Sequence, residues 1–302
     1  MKQFASLSVL FAGAIVSALA HAQLSGTLQK VQKSGEITLG VRESSSPLSY
    51  TLGGGRYAGY HVELCLAIVD NIKKTIGRPT LNVKYMAVTS QNRIPLVQNG
   101  TVDLECGSTT NNEARQKDVA FGLTTYMTEV RTAVKANSGI NSIGQLNGKS
   151  VATTTGTTSV QHLRKHERAA KANFKEIYGK DHADSFLLLE TGRADAFVMD
   201  DNILAGLIAN AKNPKDFRIV GEVLSVEPIA VMLRKDDPGM KKLVDGSIRE
   251  MMKSGRLQKL YNKWFTSPIP PRNANVNLPM GTTLKALFAD PNDKPMEAYA
   301  KK

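Results

Sequence analysis

Long hydrophobic runs are nearly absent from this chain. The one candidate, Leu7 to Leu19, is too short to span a bilayer comfortably, and nothing after it approaches the ~20 apolar residues of a membrane helix. With Lys2 before it and Ala20-His-Ala22 behind it, this run reads as an export signal cut after Ala22. No Cys follows the cut, so a lipid anchor is not indicated and a free, soluble periplasmic protein is expected. Cysteine is scarce: Cys65 and Cys106 are the whole complement. One falls in a helical pattern and the other in a strand pattern, so in an oxidising compartment they either pair or stay as two buried thiols. Runs of like charge are missing too. The 302 residues carry a net charge of +12, yet basic residues go no further than pairs such as Lys73-Lys74 and Lys241-Lys242, and aromatics are few. That excludes the usual footprint of a nucleic-acid binder and leaves mild steering of anionic small molecules, or an incidental solvated surface.

The common catalytic signatures are also lacking. There is no Gly-x-Ser-x-Gly elbow and no Walker-type loop, and Gly53-Gly-Gly55 reads as a hairpin turn rather than a phosphate cradle. His162 and His166 stand four apart, but without the Glu of a His-Glu-x-x-His site they read as a polar helix face. No metal and no cofactor is expected.

What the chain does have is regular alternation. Leu28 to Lys33 reads as a short helix stopped by Gly35, and Glu36 to Arg42 as an alternating strand. A helix follows from Tyr60 to Ile76, then a strand from Leu81 to Val88, the helix of Arg93, and a short strand ending at Gly107. Near Thr125 to Val134 the chain crosses into a second unit with strands Ser150 to Thr154, Phe174 to Tyr178, Ala194 to Asp200 and Phe217 to Val223. Helices starting near Thr158 and His182 lie between these strands. An extended return from Leu224 to Arg234 precedes helices Pro238 to Lys253 and Leu257 to Phe265, and Pro268-Ile-Pro-Pro271 opens an irregular tail. Alternating strands and helices predict parallel α/β sheets, whose ligands gather beyond the carboxyl ends of the strands.

Three clusters sit at those ends. Thr89 to Arg115 places Arg93 and Arg115 beside the hydroxyls of Thr89, Ser90, Ser108, Thr109 and Thr110, and Arg42 ends an earlier strand. Guanidinium forks beside short hydroxyls suit carboxylates; taken singly, each Arg would more often be a solvated surface residue. Thr153-Thr-Thr-Gly-Thr-Thr-Ser159 turns from strand into helix, has more threonines than capping needs, and suits an anion. Asp200-Asp201 ends a buried-looking strand; one Asp suffices to cap the next helix and the other can accept an ammonium group.

These residues, with Ser90-Gln-Asn-Arg-Ile-Pro-Leu, Glu105-Cys-Gly-Ser-Thr-Thr-Asn-Asn, Thr155-Gly-Thr-Thr-Ser159, Lys180-Asp-His-Ala-Asp-Ser-Phe186, Gly192-Arg-Ala, Met199-Asp-Asp201, Leu233-Arg-Lys-Asp-Asp-Pro238, Trp264-Phe and Pro268-Ile-Pro-Pro271, resemble the glutamate/aspartate-binding family of bacterial ABC importers. The likeness covers nearly the whole mature chain. It implies a two-lobed type II periplasmic binding fold, each lobe a mainly parallel sheet flanked by helices, with a two-strand hinge. The lobes expected are 23–128 with 226–302, and 129–225, after the signal 1–22. The resemblance also implies roles. Thr110 and Arg115 would hold the α-carboxylate, and Asp200 the α-ammonium. Arg42, Ser90, Arg93 and His182 would surround the side-chain carboxylate, with Ser108, Thr157 and Thr158 completing the shell. Phe121-Gly-Leu-Thr departs from the family's aromatic–serine–proline pattern, so a differently shaped first hinge is expected, and no disulfide is carried over from the family.

Three Arg against one Asp leave positive charge in the cleft for a ligand with two carboxylates. The expected partners are therefore L-glutamate or L-aspartate and the permease subunits of an ABC transporter, with no nucleic acid and a monomeric state. A dehydratase-type enzyme would need His182 or Asp200 as acid or base, and both are better used on the ligand. A sensor input would share the cleft but is usually fused to a membrane span and a signalling domain. Transport without catalysis is the expectation.

Overall fold

A computed structural model describes residues 24–299, so the expected export signal lies outside the described residues. The chain opens with α1 (Gly26–Ser34) and β1 (Glu36–Val41), then a small antiparallel flap of β2 (Ser44–Ser45), β3 (Ser49–Gly53) and β4 (Arg56–Ala58). It continues through α2 (Tyr60–Thr75), β5 (Asn82–Ala87), α3 (Arg93–Gln98), β6 (Leu104–Glu105), α4 (Glu113–Gln116) and β7 (Val119–Phe121). The long strand β8 (Tyr126–Lys135) crosses to β9 (Ser150–Thr154), α5 (Thr158–Ala170), β10 (Lys175–Gly179), α6 (His182–Glu190), β11 (Ala196–Asp200) and α7 (Asp201–Ala209). The return strand β12 (Phe217–Ile229) leads to β13 (Met232–Arg234), α8 (Pro238–Lys253), α9 (Arg256–Phe265) and α10 (Thr282–Ala289).

Two five-stranded sheets result, ordered β5-β1-β6-β13-β7 and β10-β9-β11-β8-β12. Each is parallel where strand–helix units repeat and antiparallel where a connecting strand joins, so both sheets are mixed. The joining strands β8 and β12 lie side by side across the hinge, Ile229 opposite Tyr126, and their register shifts between Val220 and Ser225. The strand ending at Val223 and the extended return from Leu224 that the sequence suggests are joined in one strand to Ile229, because β8 offers a partner along that length.

Local chemistry explains the elements. In α2, Val62, Leu64, Cys65, Ile68, Val69 and Ile72 form one buried face against the first sheet. Asp237 caps α8 by accepting from the Met240 amide, and Pro238 occupies the first turn, where its missing N–H is harmless. Each lobe has its own core: in the first a large cluster around α2, α8 and α9 with a smaller one around α3 and β7, and in the second two clusters built on its sheet. Cys65 of α2 and Cys106 after β6 form a disulfide. It staples the helix to the strand end that carries Ser108.

The tail is more ordered than its prolines suggest. Thr282 to Ala289 is helical, because Leu284 and Leu287, three apart, bury one face. The chain then returns to the first lobe, where Thr124 donates its amide to the Asn292 carbonyl and Met296 its amide to the Asn111 carbonyl.

Two glycines of the second lobe lie directly on first-lobe backbone. A Cβ at Gly156, whose φ is +81°, would come within 2.9 Å of the Gln91 and Ser90 main chain. A Cβ on Gly206 of α7 would sit 2.4 Å from the Ser46 carbonyl oxygen. Both approaches demand that no side chain be present.

Candidate binding site

The carboxyl ends of β1, β5 and β6 face those of β9, β10 and β11 across the interlobe cleft. Between them lies a narrow cavity lined by Ser90, Arg93, Ser108, Thr110, Thr157, Thr158, His182, Met199 and Asp200. Eight of the ten residues singled out from sequence are in this wall, and Met199 is the addition. Arg42 and Arg115 stand behind it.

The wall carries polar groups without protein partners. Arg93, at the start of α3 and 2 % exposed, has Nε and Nη1 buried and unpaired, and the Ser90 hydroxyl is unpaired beside it. Burial, followed by the charge of Arg115, holds the Arg93 guanidinium well below its usual pKa, with Arg42 adding to this and Glu105 and Asp200 opposing it. On the other side Asp200 ends β11. It stands at the cap position of α7 but makes no cap bond, and among the described residues its carboxylate takes no hydrogen bond. Burial raises its pKa well above the ordinary range, and Glu227 and Asp201 add to the rise. The neighbouring Asp201 is the structural one, accepting from the Thr128 hydroxyl at 2.8 Å and from the amides of Glu129 and Asn202.

A second set of groups has partners within the protein and ties the lobes together, although Arg42 Nε stays unpaired. Arg42 Nη2 pairs with Asp181 at 2.6 Å and meets His182 Nε2 at 3.2 Å, while Nη1 donates to the Ser108 hydroxyl. Ser44 donates to the second Asp181 oxygen at 2.6 Å. Burial first, then Arg42, pulls the His182 pKa down to about 3, so the ring is neutral near pH 7. Its Nε2 must then accept from Arg42, which puts the ring proton on Nδ1 and directs it to Thr154, 3.0 Å away. Arg115 donates to the carbonyls of Thr110 at 2.9 Å and Gly156 at 3.4 Å, one in each lobe. Thr157 precedes α5 and gives its hydroxyl proton to the Thr154 carbonyl, leaving the amide end of that helix uncapped by its side chain.

Residues 37–267 match the family model for bacterial extracellular solute-binding proteins, family 3. The chain belongs to this family. It is 47% identical over 295 residues to the L-glutamate/L-aspartate-binding protein of Pseudomonas aeruginosa, covering 95% of this chain and 97% of that one. It is 48% identical over 268 residues to the glutamate/aspartate import solute-binding protein of Escherichia coli, covering 89% of each. Among solved structures, an ancestral arginine-binding protein bound to arginine superposes with a TM-score of 0.68 at 28% identity, covering 76% of this chain and 98% of that one. The two-lobed fold of the family 3 solute-binding proteins is thus this chain's fold, and the curated relatives are binding proteins rather than enzymes.

For this family 3 member, the count of three Arg against one Asp proves incomplete. Glu105 and Glu227 are also buried around the cleft and Asp181 is half-buried at its edge, and sequence reading gave none of them a role. Asp181 neutralises Arg42, and Glu105 accepts from the Thr109 hydroxyl at 2.7 Å. Glu227 of β12 accepts from Thr110 and Thr158 and meets His162. So His162 lies against an acid instead of forming part of a free polar face. Among the described residues no cluster of His, Cys, Asp and Glu could hold a metal ion. What distinguishes the cavity is therefore the state of pairing: Arg93 and Asp200 are the ions left without partners.

Proposed function

We propose that this chain captures L-glutamate or L-aspartate between its lobes and delivers it to the permease of an ABC importer. The observation that carries this reading is the opposition, inside one small cavity, of an unpaired guanidinium with an unpaired hydroxyl and an unpaired carboxylate. An α-amino acid with an acidic side chain offers both complements. Its ammonium answers Asp200, and its side-chain carboxylate answers Arg93 and Ser90. The α-carboxylate goes to Arg115, with the amides at the start of α5 behind Thr157 and Thr158. Arg42 and His182 hold the side-chain end in place through their pairing with Asp181 and Ser108. A neutral amino acid would leave Arg93 desolvated and unpaired on closure, at a cost of about 2–5 kcal/mol. The names of the Pseudomonas aeruginosa and Escherichia coli relatives point the same way.

The protein acts as a periplasmic monomer, exported by a signal cut after Ala22 and without a lipid anchor. Its lobes are residues 23–128 with 226–302, and 129–225. Ligand stabilises the closed shape only through contacts it gains on closure, and the permease receives that shape. Calorimetry of the purified protein against glutamate, aspartate, glutamine and histidine tests the reading. Glutamate or aspartate should be preferred by roughly 30-fold or more; equal binding of glutamine overturns it.

A further inference from the structure

Glu227 is fully buried in the strand that joins the lobes, and a glutamate there is not explained by the hinge alone. Its Oε2 receives two hydroxyl protons, from Thr110 at 2.5 Å and from Thr158 at 2.8 Å. Thr110 follows the first sheet and Thr158 opens α5 of the second lobe, and both line the cavity beside Asp200. His162 Nε2 lies 2.8 Å from the other oxygen.

A hydroxyl has one proton to donate and two lone pairs to accept with. We propose that Glu227 is a positioning residue for the ligand's ammonium group: by taking the protons of Thr110 and Thr158, it leaves both oxygens facing the cavity as acceptors only. The ammonium then meets the Asp200 carboxylate together with acceptors from both lobes; the Thr110 hydroxyl thus serves the ammonium rather than the α-carboxylate that the family resemblance assigned to it, and a group with acceptors alone finds no hydroxyl donor there. This rests on the reading of the ligand as an α-amino acid, but not on its side chain.

The carboxylate is suited to that task. Burial works against its charge, but the hydrogen bond and charge of His162, and then the hydroxyls of Thr110 and Thr158, more than offset this and lower its pKa. An ionised Glu227 has no proton to give, so His162 Nε2 must carry one. The direction of all three bonds is fixed by the acid. Glutamine in the same place brings an N–H₂ donor; facing the threonines it deprives both hydroxyls of their acceptor and frees them to turn their protons toward the cavity.

Glu227→Gln tests this with the full mature chain, using L-glutamate and glutarate, which has the same carbon skeleton without the amine. Glutarate is read by competition, which reaches millimolar affinities. The variant should weaken glutamate about tenfold while leaving glutarate within about twofold, so that the preference for the aminated ligand falls about tenfold. A merely structural role would weaken both together, and that outcome, or unweakened glutamate, overturns the proposal. In a Thr158→Val background Glu227→Gln should add clearly less than it does alone; losses that simply add also overturn it. If Glu227→Gln does not fold, Glu227→Asp, which withdraws the carboxylate by one methylene, is read by the same ratio. Should the wild type take a neutral amino acid instead, the acidic-ligand reading falls. The present inference is then tested with that amino acid and its deaminated counterpart.

Discussion

The edge of the cleft and its interior treat buried charge in opposite ways. At the edge, Arg42 is wrapped by Asp181, Ser108 and His182, and Asp181 is held again by Ser44. In the interior, Arg93, Ser90 and Asp200 are just as deeply buried and lack protein partners. Both arrangements desolvate ions, which is costly unless each is paired. The edge compensates that cost within the protein and so helps hold the lobes together by itself. The interior leaves it for the ligand to compensate, and a group that lowers the free energy of only one filling is a selective one. Completeness of pairing, more than net charge, separates the fastening from the recognition surface.

The largest effect should come from Asp200→Asn, which keeps the shape and removes the charge that answers the ammonium. Glutamate affinity should fall by ~100-fold or more, measured by calorimetry. The same change should raise the melting temperature of the free protein. Because the folded state raises the Asp200 pKa, its ionisation opposes folding above the ordinary carboxylate range. The difference in melting temperature should therefore be present at neutral pH and vanish once the pH falls below about 4, where the carboxyl is protonated in both states. A variant no more stable than the wild type at neutral pH would show that the interior is not strained by this charge.

Next in size, Arg93→Met should bring the preference for glutamate over glutamine down by about 30-fold, toward parity. Titration of both ligands into the variant checks this, and an undiminished preference would assign side-chain recognition elsewhere. Smallest should be Asp181→Asn. The pair is partly exposed, with 17% of the Asp181 side chain accessible, so its loss should change affinity by ~5-fold or less. The free protein should shift toward an open shape, read as a larger radius of gyration in solution scattering. If Asp181→Asn weakened binding as much as Asp200→Asn, the division between edge and interior would collapse.

Much of this was legible in the chain, for a physical reason. In α/β sheets the residues just past each strand's carboxyl end share a rim, so Arg42, Ser90 and Ser108 could be placed together from their local sequence, while Thr157 and Asp200, on the other lobe, were joined to them by the family resemblance. The acids behind them could not. Glu227 sits in an extended strand, and its hydroxyl partners lie 117 and 69 residues away; no local pattern distinguishes such a residue from a solvated one. Asp181 likewise meets Arg42 from 139 residues off. The pairing of Cys65 with Cys106 was open because spacing does not fix where a helix crosses a strand end. The helix Thr282–Ala289 was hidden by its length and by the prolines before it.

The two glycines that touch the opposite lobe carry a consequence for signalling. Closure driven only by attraction would stop wherever a ligand's length allowed, and each ligand would give its own outline. At Gly156 and Gly206, however, main chain meets main chain, a contact that neither stretches nor compresses appreciably. They would work as mechanical stops. The closed outline would then not depend on the length of the ligand, and a partner that reads the outline would receive a yes-or-no message, blind to what is inside.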